Sequence, residues 1–435
     1  MKEYSSYGIK ICHYNRIFEK TVEMYRGAVD FFITVCLEEW ELLQKLSGKE
    51  RNNEVEKLTI RTKKRLEVRY DFSEDYYKFP SYLRRSAISE AIGKVSSYHS
   101  NLENWKISGK GRRPGPPPAG NVFPVLYKKS SYLRTGEYTA KIKVYLRNTW
   151  DWLEVSLRKT DVDYIRHHCG ERKECVPVLK RKGREWFLNF SFEETVGLSK
   201  VPVREQRILA VDLGMNQACV CTAMKPDGTV LGREFLSLSR EKDLLKTAVN
   251  RIRKAQKHGA VRTPRLWALA RGRNDRIAVL TADFIMEKAR KYQVDVIVFE
   301  YLELNGKKRG RHKQRLHLWK AKHVQKMVSG KAHREGIRLS RVNARGTSAY
   351  AFDGSGRVER NIDRNYSICR FSTGKLYHCD LNASYNIGAR YYIREHLKSL
   401  PEKERLGIEA KVPQCTRRST CTLSTLISLN AVMTA

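Results

Sequence analysis

Apolar residues recur at three- and four-residue steps from Phe18 through Val22, Tyr25, Val29 and Phe32 to Cys36, and that spacing predicts helix over residues 18–50. A second helix is expected over about 81–105, carried by Leu83, Ile88, Ile92, Val95 and Tyr98. Residues 1–17 read as extended, with 9–12 a short strand. Between the helices lies a charged segment that includes Arg61, Lys63, Lys64 and Arg65. Pro114, Pro116, Pro117 and Pro118 sit among the glycines of 109–120, so that stretch is neither regular helix nor central strand. From 121 to 193 apolar and polar residues alternate, at 138–146, 152–157 and 186–192. Short strands of this kind predict a small barrel, which the first strand could join across the helical insert.

The second half changes character. Ile208-Leu209-Ala210-Val211 is an unbroken apolar run that ends on Asp212, and 294–299 is a second that ends on Glu300. Strands are expected at 207–212, 217–224 and 229–236, the last two joined by the turn Pro226-Asp227-Gly228. Helices follow at about 240–257 and 274–292, then the strand ending at Glu300, a helix over 314–334 and a strand over 337–342. Residues 343–379 read as irregular, and Asp380 opens a helix. Strands followed by helices, with acids at strand ends, are consistent with an RNase H-like α/β sheet.

Those acids carry the candidate chemistry. Alone, Asp212 before Leu213-Gly214 reads as a turn, Glu300 as a strand-end residue and Asp380 as a helix cap. A carboxylate at the end of a buried strand is costly unless something pairs with it. Three that converge make an oxygen-lined site for divalent metal, able to cut a phosphodiester. The expected arrangement is two Mg2+ ions about 4 Å apart, replaceable by Mn2+, with Asp212 as bridging ligand and Glu300 and Asp380 completing the shells. None of the three is expected to act as a nucleophile.

Charge names the substrate class. Lys plus Arg number 84 against 47 Asp plus Glu, a net charge of +37 that calls for a polyanion. Arg112 and Arg113 are candidates for RNA phosphate contact. Lys307, Lys308, Arg309, Arg311 and Lys313, close after Glu300, either steer a DNA strand or form a solvated loop. The length of 435 residues suggests two to four domains. No apolar segment long enough for a membrane span and no secretory leader stand out, so a cytoplasmic setting is expected. The 10 cysteines are scattered and expected to be reduced. His167-His168-Cys169 with Cys175 has ligand-like spacing but is read as a surface turn.

The residues Val211-Asp212-Leu213-Gly214-Met215-Asn216, Ile297-Val298-Phe299-Glu300 and Asp380-Leu381-Asn382-Ala383-Ser384-Tyr385-Asn386-Ile387-Gly388 resemble the split RuvC motifs of TnpB proteins, transposon-encoded relatives of compact type V CRISPR effectors. The resemblance implies a multidomain α/β protein: an RNase H-like RuvC nuclease domain and an N-terminal β-barrel wedge domain interrupted by a helical recognition insert. The wedge would comprise 1–17 and 119–202, with the insert at 18–118. RuvC would comprise 203–342 and 380–398, around a degenerate target-nucleic-acid-binding insert at 343–379. Residues 399–435, which carry Cys415, Arg417, Arg418 and Cys421, read on their own as a tail with little fixed structure in the absence of a partner. The family usually has a four-cysteine zinc knuckle in that insert. Here only Cys369 and Cys379 remain, with His378 nearby, so no structural zinc is expected; Tyr350, Phe352, Tyr366, Phe371 and Tyr377 would hold the remnant by packing. The implied activity is RNA-guided cleavage of double-stranded DNA beside a short motif, by one RuvC site, in a monomer bound to guide RNA. The competing readings are an RNA-guided, repressor-like DNA binder without cleavage and an RNA-independent nuclease or transposase.

Overall fold

The structure is a computed structural model that describes residues 1–12, 16–109, 111–302, 318–362, 365–417 and 419–434. It divides into two compact units, Lys2–Glu194 and Thr195–Ala435 with Met1.

In the first unit, β1 (Lys2–Lys10) leads into α1 (Ile17–Glu38), α2 (Trp40–Leu43), α3 (Gly48–Thr59), α4 (Phe72–Asp75) and α5 (Ser81–Ser108). The whole stripe from Phe18 to Cys36 is buried, and it packs with Leu83, Ile88, Ile92 and Val95 of α5. Ser47 and Glu50 form a reciprocal cap that starts α3. Gly109, at φ +61°, ends α5 in the left-handed conformation that glycine adopts without strain. Phe79 is buried edge-on to Trp150 at 4.9 Å, whereas Tyr77 and Tyr82 are exposed.

The strands that follow are β2 (Tyr132–Arg134), β3 (Thr139–Leu146), β4 (Thr149–Ser156), β5 (Lys173–Glu174), β6 (Val178–Lys182) and β7 (Glu185–Thr195). They do not close the expected barrel. Among the described residues they form two sheets, β2-β3-β4 and β1-β7-β5 with β6 also on β7. Isolated bridges at Ile11–Leu157 and Val125–Val178 replace the continuous pairing that closure requires. The expected turn at His167–Cys169 is also corrected. Those residues end α6 (Lys159–Cys169), whose Val162, Ile165 and Cys169 are buried at helical spacing.

The second unit is built on a sheet in the order β10-β9-β8-β11-β12. Its strands are β8 (Ile208–Asp212), β9 (Cys219–Met224), β10 (Val230–Leu236), β11 (Val296–Tyr301) and β12 (Arg338–Asn343). The first three run antiparallel as a meander, and β8, β11 and β12 are parallel. Helices α7 (Ser239–Lys257) and α8 (Pro264–Lys291) precede β11, and α9 (Ala321–Arg334) precedes β12. Buried strands covered on both faces read as unbroken apolar runs. Leu209, Val211, Ile297 and Phe299 meet α8 and α9 on one face. Ile208, Ala210, Val296 and Val298 meet α10 (Cys379–Ser399) on the other. Gly388 lets α10 approach closely: a Cβ there would stand 2.4 Å from Met224 Sδ and 3.3 Å from Ala210 Cβ.

Two expectations fail in this unit. The stretch 343–379 is not wholly irregular, since β13 (Glu359–Ile362), β14 (Asn365–Arg370) and β15 (Leu376–His378) make a small antiparallel sheet. The tail is folded too, as α11 (Glu402–Lys411), a 3-10 turn (Pro413–Thr416) and α12 (Leu423–Thr434). It is held because Cys415, Cys421, Leu426 and Leu429 bury against α10 and its neighbours.

Candidate metal centre

Strand alternation decides where the acids point. Side chains on a strand face alternate sides, so Asp212 shares the face of Ile208 and Ala210, and Glu300 shares that of Val296 and Val298. Both therefore face α10. The parallel register pairs Val211 with Phe299. The next step sets Asp212 beside Glu300, one strand spacing of about 4.8 Å apart. Asp380 enters from the first turn of α10. It also approaches the loop after β8, where a Cβ on Gly214 would lie 3.7 Å from Asp380 Oδ2.

The polar residues of the last motif build the support. Asn382 and Asn386 lie four apart on one helix face. Asn382 Nδ2 donates to Tyr350 O at 2.9 Å and its Oδ1 accepts from Phe352 N at 2.8 Å. Asn386 Nδ2 donates to Thr347 O and Tyr350 O, both at 2.9 Å. This clamp seats Thr347, whose hydroxyl donates to Glu300 Oε1. Ser384 meets Thr222 of β9 at 2.6 Å, which fixes the helix to the sheet. Gln325 donates to Glu300 O at 2.9 Å. Nothing in the sequence pattern singles out Thr347 or Gln325, because their roles depend on long-range placement.

Electrostatics mark the site as short of positive charge. Burial pushes the Asp212 carboxyl well above its usual range, and the neighbouring Glu300 and Asp380 push it further. Burial also raises Glu300, opposed by the Thr347 hydrogen bond and Arg390. Burial raises Asp380, with His378, Arg360 and Lys242 acting the other way. An all-carboxylate donor set that resists its own ionisation suits a hard divalent cation in charge and donor type. As they stand, no three His, Cys, Asp or Glu side chains among the described residues are grouped tightly enough to hold one ion.

The structure places Asp212, Glu300 and Asp380 within electrostatic reach of one another at the ends of β8 and β11 and the start of α10, without closing them into a ligand set. Arg112 and Arg113 are exposed, in a stretch of the other unit without regular structure. Lys307, Lys308, Arg309, Arg311 and Lys313 lie outside the described residues. Cys369 and Cys379, distant in sequence, hydrogen-bond to each other because the β14–β15 register pairs Cys369 with Tyr377. Phe352, Phe371 and Tyr377 pack around them, with ring centroids 5.0–5.8 Å apart; the Tyr366 side chain lies outside the described set. Among the described residues, no helix is long and apolar enough to cross a membrane.

Comparison with known proteins adds two findings. The fold is shared with Cas12f1, solved in complex with sgRNA and target DNA, over 86% of this chain and 81% of that one, with a TM-score of 0.53 and 15% identity. C2c1 of Alicyclobacillus acidoterrestris, solved with single-guide RNA, covers 86% of this chain and 66% of its own, with a TM-score of 0.42 and 10% identity. In sequence, residues 5–146 match the model of the Aq_aa04 family. The aq_aa04 protein of Aquifex aeolicus (strain VF5) is 31% identical over 124 residues, 25% of this chain and 70% of that protein. The chain belongs to the Aq_aa04 family, and the matched segment runs from β1 to the end of β3.

Proposed function

We propose that the chain is an RNA-guided DNA endonuclease of the TnpB type, cutting double-stranded DNA by metal-dependent hydrolysis in one RuvC-like site. The observation that carries this reading is the convergence of Asp212, Glu300 and Asp380 at the ends of β8 and β11 and the start of α10. The shared fold with Cas12f1, a protein solved with guide RNA and target DNA, supports it. So does the charge of +37, which suits a protein that tracks two phosphate backbones.

Asp212, Glu300 and Asp380 would hold the metal. When bound, divalent ions such as Mg2+ or Mn2+ supply Lewis acidity and activate water toward a phosphodiester. The remaining work falls to the chain. The Thr347 hydroxyl orients the Glu300 carboxylate. His378 accepts from Leu381 N and so fixes the first turn of α10, where Asp380 sits. Lys242 and Arg360 place positive charge near Asp380.

The test is to isolate the RNA that copurifies, exchange its guide segment and map where DNA is cut. The cut should move with the guide. A cut site that stays put, or equal cutting by RNA-free protein, leaves a simple nuclease. Bound RNA and DNA without cutting leaves the repressor-like reading.

The same reading has no structural zinc. Cys369 and Cys379 meet each other, and the Cys369 thiol also donates to Tyr377 O at 3.4 Å; they would supply two of the four ligands that a tetrahedral site needs. Elemental analysis of the purified protein should find no stoichiometric zinc. One zinc per chain would show that further ligands complete the set.

A further inference from the structure

One residue beyond Glu300, Tyr301 stands 57% exposed at the mouth of a cavity of about 1180 Å3. This exceeds the roughly 300–1,000 Å3 of a small-molecule pocket. The cavity runs along the edge strand β12 and between α10 and α11. Arg341, Arg345, Arg390, Arg394, Lys398 and Arg405 line it, against the single carboxylate of Glu409. The floor includes Val342, Ile393 and Leu397, so apolar surface lies within reach of the cations.

The cations divide into two kinds. Arg341, Arg390, Arg394 and Arg405 are walls: Arg341 Nε donates to Gln325 Oε1 at 3.0 Å and Arg405 pairs with Glu409 at 3.9 Å. Arg390 donates to the carbonyls of Asn343, Arg345, Ser419 and Cys421 at 2.8–3.1 Å. Arg394 donates to Arg341 O and Ser340 Oγ, both at 2.7 Å. Arg345 and Lys398 are exposed, and their side chains have no bonded partner among the described residues. A free cationic rim over an apolar floor, with an exposed tyrosine at one end, matches an unpaired nucleic-acid strand: cations follow the phosphates and the ring takes a base. An inorganic anion would use the rim alone.

We infer that this cavity is a seat for a single-stranded stretch of DNA beside the metal centre, with one base on Tyr301 and its phosphates along Arg345 and Lys398. The assignment of the strand as substrate DNA rests on the nuclease reading above. The seat itself can be tested without cutting.

The full-length chain carrying Asp212→Ala is mixed with a short fluorescent single-stranded DNA in EDTA, and anisotropy is followed from low to high salt. Arg345→Glu with Lys398→Glu should weaken binding by at least roughly tenfold and flatten the log–log salt slope by about 1.4. The control pair Lys254→Glu with Lys257→Glu, exposed on α7, should have a smaller effect. Equal losses from the two pairs would overturn the seat. Tyr301→Ala should lose roughly tenfold and Tyr301→Phe should retain binding. Iodouracil-substituted DNA should photocrosslink to Tyr301, and adducts found only elsewhere would refute the stacking. A stronger dependence on these residues for RNA of the same sequence would overturn the DNA assignment. If the protein never cuts but these losses appear, the seat stands and the nuclease reading falls. If it cuts at full rate and the losses are missing, the seat alone falls.

Discussion

Asp212→Ala, Glu300→Ala and Asp380→Ala should each reduce DNA cutting by roughly a thousandfold or more, equivalent to about 4 kcal/mol of barrier. RNA binding should change by less than about twofold, since no backbone-tracking cation is lost. Guided plasmid cleavage and RNA filter binding measure the two. Full cutting by the Asp380 variant would sink the site. Thr347→Ala should cost about 10–100-fold by loosening Glu300, and Thr347→Ser should recover most of it. A thermal readout follows from the same charges. Because the fold raises the Asp212 carboxyl above its ordinary value near about 4, its contribution to stability is full below that pH and falls as pH rises through the raised value. At neutral pH without metal, Asp212→Asn should therefore melt higher than the parent. Mg2+ at about a hundred times its Kd should stabilise the parent by about 2.7 kcal/mol and the variant by less.

Arg390→Met should be the most damaging substitution away from the acids. The guanidinium is 5% exposed and satisfies four backbone carbonyls, from β12 and its loop and from the segment before α12. Methionine replaces the stem and leaves those four acceptors without their donor, at a cost of about 3–5 kcal/mol. For a unit of this size the melting transition should fall by roughly 10 °C. Arg390→Lys should rescue little, because an ammonium cannot serve four acceptors in one plane. Thermal melts monitored by circular dichroism check both, and an Arg390→Met protein that melts like the parent would show that water replaces the guanidinium there.

The sequence made the sheet readable where burial on both faces left unbroken apolar runs, as at 208–211 and 296–299, and it placed each acid at the end of an element. Helix α8 begins ten residues before its expected start. Its first turns carry Arg265, Arg271, Arg273 and Arg276, which hide the apolar stripe, although Pro264 at the first helical position is a start signal. Helix α6 was masked in the same way by Asp161, Asp163, Arg166 and the two histidines. The strands after 358 are three to six residues long, too short for alternation to show. The tail reads as polar because Ser and Thr punctuate it, yet Leu423, Leu426 and Leu429 recur at three-residue steps and are buried. The acids were legible as residue types. Their support was not, since Thr347, Gln325 and Arg390 act only once distant segments are side by side.

That separation along the chain has a consequence during synthesis. Asp212 and Asp380 are 168 positions apart (380 − 212), and the third acid arrives on the helix that also closes one face of the sheet. At roughly 5–20 residues per second, a ribosome needs about 8–34 seconds to pass from one to the other. Throughout that interval the nascent chain carries Asp212 but lacks Asp380, so the proposed metal site would have only part of its ligands. On the proposed reading, a message broken upstream of Cys379 would yield a product that keeps Asp212 and Glu300 but lacks the third acid needed to cut.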